Sequence, residues 1–243
     1  MQPLSASQML AVWERGLEQI PLERALIMLE AACPECDRAS LSASSIGERD
    51  ARLLRLREWA FGSEITACAA CPQCHQALEL TFQLDALRQG GGDQQPVEIP
   101  CFIGGYELLL RPLNSLDLMP CAGLDVAALH RQLFGCCLLS ARLGDAAISH
   151  DQVPEEVAAL ALESTASADS QANLYIEASC AKCAHSFRET FDIVSFFWSE
   201  IDAWVRRILR EVHVLASAYG WTESDILRLS PLRRQLYLEM ASA

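Results

Sequence analysis

Two short segments concentrate the residues best able to do chemistry, Cys71-Pro-Gln-Cys74 and Cys180-Ala-Lys-Cys183. A Cys-x-x-Cys turn lets two thiolates face one ion while amides of the turn point at the sulfurs. Two such turns supply four thiolates, a closed tetrahedral set that suits a structural zinc ion and leaves no open position for catalysis. The flanks agree. Leu78, Leu80, Phe82 and Leu84 alternate with polar residues after the first turn, the period of a half-buried strand. Leu174–Ala178 and Phe187–Phe191 read as strands on either side of the second. A redox-active pair would open a helix, whose dipole stabilises one thiolate; here strands follow. Four-thiolate binding is worth on the order of 10–16 kcal/mol of apparent free energy, far more than small hairpins could raise alone. The spacing is wide: 105 residues separate Cys74 from Cys180, against about 15–20 in common ribbons. The segment between them is therefore an insertion into one ribbon.

Seven further cysteines compete for attention, in a chain with eleven. Cys33-Pro-Glu-Cys36 is a third pair, but it ends a helix and has no flanking strands, so it reads as incidental. Cys68 could compete as a ligand, although Cys71-Pro-Gln-Cys74 has the better turn chemistry. Cys101, Cys121, Cys136 and Cys137 read as small buried apolar groups. His75 and His185 each follow a knuckle and could replace a thiolate; surface histidines are the simpler reading. No phosphate-cradling glycine loop, nucleophile elbow or metalloprotease helix occurs, so the expected protein is not an enzyme.

Composition narrows the partners. The formal net charge is -13 over 243 residues, which repels nucleic-acid phosphates and anionic lipid. The N-terminus lacks a basic region followed by an apolar run, and no stretch approaches the roughly 18 apolar residues of a membrane span. An odd cysteine count without a secretion signal points to a reducing cytoplasm.

The elements that must position the cysteines follow from periodicity. Residues 1–63 read as helical. Ser5 with Gln8 and Ser45 with Glu48 form capping boxes, and Pro21 opens a second helix. Arg49, Arg52, Arg55 and Arg57 make the third helix basic, which reads as a solvated face or as partners for the many acids. Residues 64–88 and 172–192 are the ribbon halves. Residues 89–171 are the insertion. In it, Gly90–Pro96 is a flexible connector, and Val97–Ile103 and Tyr106–Arg111 form a hairpin about Gly104-Gly105. Leu116–Leu143 is helical, a helix runs from Pro154 to about Leu162, and Ser164–Ser170 is a small-residue linker. Residues 193–243 form a helical C-terminal region, with a long apolar stripe and short helices opened by Thr222 and Ser230-Pro231. The fold class is α+β: mainly helical, with a discontinuous four-cysteine zinc ribbon and an inserted β-hairpin.

Several stretches in order carry a further likeness. They are the segment Ser45–Gly62 (SIGERDARLLRLREWAFG), the first knuckle, Leu110–Leu118 (LRPLNSLDL), the second knuckle, and Gly220–Met240 (GWTESDILRLSPLRRQLYLEM). Together they resemble the baseplate hub assembly chaperones of T-even-like contractile phage tails and related contractile injection systems, from about Ser45 onward. The resemblance implies an accessory protein that helps build or dock the hub. It offers no active residues to carry over. It also implies that the zinc site is an embellishment of this version, since relatives often lack full knuckles. Trp221 and Tyr237 are the expected contact residues, because aromatics are enriched at interfaces; hub or spike proteins are the expected partners. Two other readings stay open. A zinc-ribbon nucleic-acid-binding regulator would use the C-terminal helices with Arg206-Arg207 and Arg233-Arg234, against the net charge. A thiol–disulfide oxidoreductase would use the paired cysteines.

Overall fold

The computed structural model describes residues 1–87, 98–121 and 123–241. The chain forms two compact units, one of Met1–Cys36 with Ile193–Ala243 and one of Asp37–Asp192.

In the first unit, helix α1 (Ala6–Gly16) opens with the full Ser5–Gln8 capping box. Helix α2 (Pro21–Ala32) starts at the expected proline. Both pack on a 27-residue helix from the C-terminal part, Ile193–Tyr219. That helix buries Phe197, Ile201, Val205, Ile208 and Leu215 at helical spacing, the face its sequence periodicity requires. Trp198 seals the contact. Arg24 lies 4.4 Å over its ring, and a Cβ at Gly16 would fall 2.5 Å from the ring edge. Trp13 Nε1 donates to Asp202 at 2.8 Å.

The second unit begins with a six-residue helix, α3 (Arg38–Ala43), that the sequence reading did not contain; Asp37 caps it. Helix α4 (Ile46–Phe61) follows. Only the Ser45 half of the expected capping box forms, since the Ser45 hydroxyl accepts from the Glu48 amide while the Glu48 carboxylate pairs with Arg52. The basic helix is not simply a solvated face. Arg57 is buried and donates to the Gly62 and Glu64 carbonyls at 2.8 Å, closing the turn into the first strand.

Strand β1 (Glu64–Ala70) pairs antiparallel with β2 (Ala77–Gln83) across the first knuckle. The Gly90–Pro96 connector and Val97 lie outside the described residues. Strands β3 (Ile99–Ile103) and β4 (Tyr106–Leu110) form the expected hairpin. Gly104 and Gly105 both take positive φ, 56° and 86°, as a two-residue turn requires.

The region expected to be one helix over Leu116–Leu143 is instead α5 (Ser115–Leu118), α6 (Val126–Cys137), strand β5 (Leu138–Leu143) and the short β6 (Ala146–Ala147). The inserted hairpin is thus half of a four-stranded sheet of order β3-β4-β5-β6. The apolar run hid the change from helix to strand because it shows no clean period. β5 gains its hydrogen bonds from β4, a partner remote in sequence. Helix α7 (Glu155–Ala168) absorbs most of the expected Ser164–Ser170 linker. Ser164, Thr165 and Ser167 each turn the hydroxyl back to the carbonyl four residues earlier, at 2.9–3.0 Å. Their side chains are satisfied within the helix, so they do not break it. One face of the sheet closes over Phe134, Cys137, Ala158 and Ala161 from α6 and α7. Strands β7 (Tyr175–Ser179) and β8 (Ser186–Thr190) then pair across the second knuckle.

The remaining elements belong to the first unit. They are the long helix already placed, α8 (Ile193–Tyr219), then α9 (Glu223–Leu227), capped by Thr222, and α10 (Pro231–Ala241).

Candidate metal centre

The two knuckles repeat one backbone geometry. In the first, the Cys71 N–H donates to the Gln76 carbonyl and the His75 N–H donates to the Cys71 carbonyl, both at 2.9 Å. In the second, the Cys180 N–H donates to the His185 carbonyl at 2.9 Å and the Ala184 N–H donates to the Cys180 carbonyl at 2.8 Å. The residue after each second cysteine, His75 or Ala184, sits at positive φ, 56° and 58°. This conformation is uncommon for a residue with a Cβ. It recurs here because the chain must reverse immediately to enter the return strand.

Cys71 Sγ lies 3.7 Å from Cys183 Sγ, and Cys74 Sγ lies 3.6 Å from Cys180 Sγ. All four sulfurs fall within 4.8 Å of one another. A tetrahedron with metal–sulfur bonds of about 2.3 Å has edges of about 3.8 Å, so the donor set fits a four-coordinate ion. The first cysteine of each knuckle is buried and the second half-buried. Electrostatics point the same way. Amide N–H groups of Cys183 and Lys182 bring the Cys180 thiol down to about 6. At Cys183 the His185 amide also lowers the thiol, but burial and the crowding sulfurs of Cys74, Cys180 and Cys71 outweigh it and push the group up to about 12. Four thiolates cannot share this space without a cation between them.

The hairpins explain why a cross-link is useful. Neither β2 nor β8 buries a residue fully, and an isolated two-stranded hairpin is marginal in water. Among the described residues, these four cysteines are the one group of three or more ligand-type side chains that converges. Cys68 is exposed on β1 opposite Glu79. His185 stacks on Phe187 instead of joining the sulfurs. Of the four cysteines expected to be buried, Cys101 and Cys137 are, whereas Cys121 and Cys136 are half-buried; burial pushes the Cys137 thiol up to about 12, so it is an inert core group.

Sequence reasoning missed three features of the same unit. Arg111, just after β4, grips Asp117 through both guanidinium nitrogens at 2.7 Å and donates to the Cys136 carbonyl at 2.8 Å. Asp117 also closes a capping box with Asn114. The LRPLNSLDL stretch is thus a lock that joins β4, α5 and α6. It also meets the SIGERD stretch, because Ser45 bridges Asn114 and the Ile46 N–H donates to the Leu113 carbonyl at 2.9 Å. Second, Asp50 is buried beside Arg49, which donates to it at 2.7 Å. Burial raises the Asp50 carboxyl to about 6, against the pull of Arg49. Third, a cavity of about 390 Å³ lies between the start of α4, α6 and α7, walled by Ile46, Leu113, Leu133 and Leu162 with His130 and Glu163. The signal for the lock was present in the arginine and aspartate of the LRPLNSLDL stretch, but six-residue spacing after a strand has no periodic signature. Trp221 and Tyr237 belong to the first unit. They pack edge to face at 4.9 Å, and Trp221 stacks on Tyr219 at 4.7 Å.

Fold and centre define a mixed α+β protein with small antiparallel sheets and a convergent cysteine quartet that could hold a metal ion; no helix among the described residues is long and apolar enough to cross a membrane. A family model described as T4 bacteriophage base plate protein matches residues 16–198, which is 183 of the 243 residues. The chain belongs to that family. No curated protein and no solved structure matches it.

Proposed function

We propose that this chain is a non-enzymatic, cytoplasmic assembly chaperone or accessory protein for the baseplate hub of a contractile tail-like injection system. The observation that carries this reading is membership of the base plate family across three quarters of the chain. The hub or spike proteins are the proposed partners, and Trp221 and Tyr237 the proposed contact residues. The cysteine quartet holds a structural Zn2+ ion. Spacing of the sulfurs near the edge of a zinc–thiolate tetrahedron supports that choice. The ion supplies no chemistry to a substrate; it fixes the two hairpins against each other.

The experiment is co-expression of the tagged chain with the complete tail gene set, followed by purification and mass spectrometry. Recovery of hub or spike proteins in stoichiometric amounts is the expected result. Recovery of no tail component would sink the assembly role. Metal analysis of the purified chain should give one zinc per molecule. The regulator reading keeps no specific support, because the formal net charge of -13 opposes phosphate binding.

A further inference from the structure

The cavity between the start of α4, α6 and α7 lies wholly within the unit Asp37–Asp192. Its volume, about 390 Å³, falls in the range of ligand sites, roughly 300–1,000 Å³. Ile46, Leu113, Leu133 and Leu162 wall it and are each only half-buried, so apolar surface is left over after the unit has packed. The walls are pinned. The Ile46 N–H donates to the Leu113 carbonyl at 2.9 Å, and the buried Asp169 carboxylate accepts from the Gly47 N–H at 3.0 Å. Thr165, also in the lining, is buried and bonded back into α7. The space is therefore preformed, which lowers the ordering cost of filling it.

Charge selects what fills it. Ala159, Glu163 and Ala166 line the cavity from α7. Glu156 precedes Glu163 by two turns and shares that face. Neither of these carboxylates has an ion pair among the described residues. Asp169 puts a further acid in the lining, and Glu155 adds one at the start of α7. Charges on the other surrounding segments cancel. Glu48 pairs with Arg52, Asp50 with Arg49 and Asp117 with Arg111, while α6 and its cap set Arg131 against Asp125. His130 is the one basic side chain in the lining, and even its protonated form leaves the acids in excess. From Leu143 to Ala181 the chain has seven acids and no lysine or arginine. The cavity is thus an apolar recess with an acidic edge. Glu156 and Glu163 stand about 10 Å apart along the helix axis, a span that an extended chain covers in about three residues.

We infer that this cavity docks an extended basic segment of a partner protein, one that inserts a single large apolar side chain between two Lys or Arg residues about three positions apart. The reading of the chain as an assembly factor bears only on which protein brings the segment; the site rests on the cavity and its charge. Filling the recess removes apolar surface from water, and cations at the edge fix orientation and speed encounter. A small monovalent amine would meet only one of the two edge acids. Nucleic acid and anionic lipid would meet repulsion.

The test is an amide NMR titration of the full chain with end-capped tetrapeptides, Lys-Leu-Gly-Lys, Lys-Phe-Gly-Lys and Lys-Trp-Gly-Lys. At least one should bind and shift the amides of Ala159, Glu163 and Ala166. Exchanging both lysines for Glu, or the apolar residue for Ala, should weaken binding roughly tenfold, and high salt should weaken it too. Glu163→Lys, and separately Ala166→Phe, which fills the recess, should each weaken the best peptide roughly tenfold. Both positions are exposed, so circular dichroism and Tm should stay unchanged. No binding by any of the peptides, equal binding by the Glu forms, or unchanged binding in the variants would overturn the inference. So would equally tight binding of butylammonium, which would assign the cavity to a small amine, or self-association of the wild type that Ala166→Phe abolishes. The co-expression experiment fails independently. If the peptides bind as expected but no tail component is recovered, the site stands and the assembly role falls. If wild type and Ala166→Phe recover tail components equally, the role stands and the site falls.

Discussion

Cys74 and Cys183 are the half-buried members of the quartet, and replacing either leaves three thiolates where a closed site needs four. Cys74→Ser or Cys183→Ser is expected to lose the bound metal and lower Tm, read by metal analysis and calorimetry. A variant that kept its zinc and its Tm would remove the centre. Because protons compete with metal for thiolates, retention should fall as pH falls. Asp50 behaves differently. Its carboxyl is raised to about 6 in the fold, against an ordinary value near 3.9. The protonated form is the one the fold prefers, so this group's stabilising contribution is full below about 4 and lost as pH rises through about 6. About two units correspond to roughly 3 kcal/mol. Asp50→Asn should therefore flatten the stability profile between about pH 4 and pH 6 in urea titrations; an unchanged slope would show that other groups carry it. The cysteines were legible because Cys-x-x-Cys is a local pattern with its own turn chemistry. Asp50 was not, because an Arg-rich helix gives no sign of which of its charges the fold will bury.

At the level of elements, two contacts set measurable costs. The Arg111–Asp117 clamp has one buried partner, Asp117 at 5 % exposure. Breaking it with Asp117→Asn leaves the Arg111 guanidinium without its counter-ion and should cost about 3 kcal/mol, seen as a lower urea midpoint. Gly16→Ala forces a methyl to 2.5 Å from the Trp198 ring; overpacking of this kind costs about 1–3 kcal/mol, and near-ultraviolet dichroism of Trp198 should change. Helices with clear apolar stripes, such as α1, α2 and α8, could be read directly. So could the Gly104-Gly105 hairpin. β5 could not, because Leu138–Leu143 continues an apolar helix without a break and becomes a strand only when β4 offers hydrogen bonds. Nor could the end of α7, where serines that usually favour loops bond back to their own helix.

Across the whole molecule, the cysteine quartet joins segments more than a hundred residues apart, a loop of the size whose closure by a covalent link is worth on the order of 4–5 kcal/mol in chain entropy. Chelation should therefore do more than fray two hairpins. It should make the unit Asp37–Asp192 sensitive to limited proteolysis between the knuckles, while the helical dichroism from α1, α2 and α8 largely persists. Cleavage patterns identical with and without chelator would contradict this. The repeated knuckle geometry has one more consequence, for the order in which the chain is made. Cys71 and Cys74 leave the ribosome long before Cys180 and Cys183 exist. Through that interval only two of the quartet's four thiolates exist to hold an ion. Full coordination therefore marks a polypeptide translated past Cys183, and a chain that stopped short would carry the first half of the site as a loosely held, exchangeable pair.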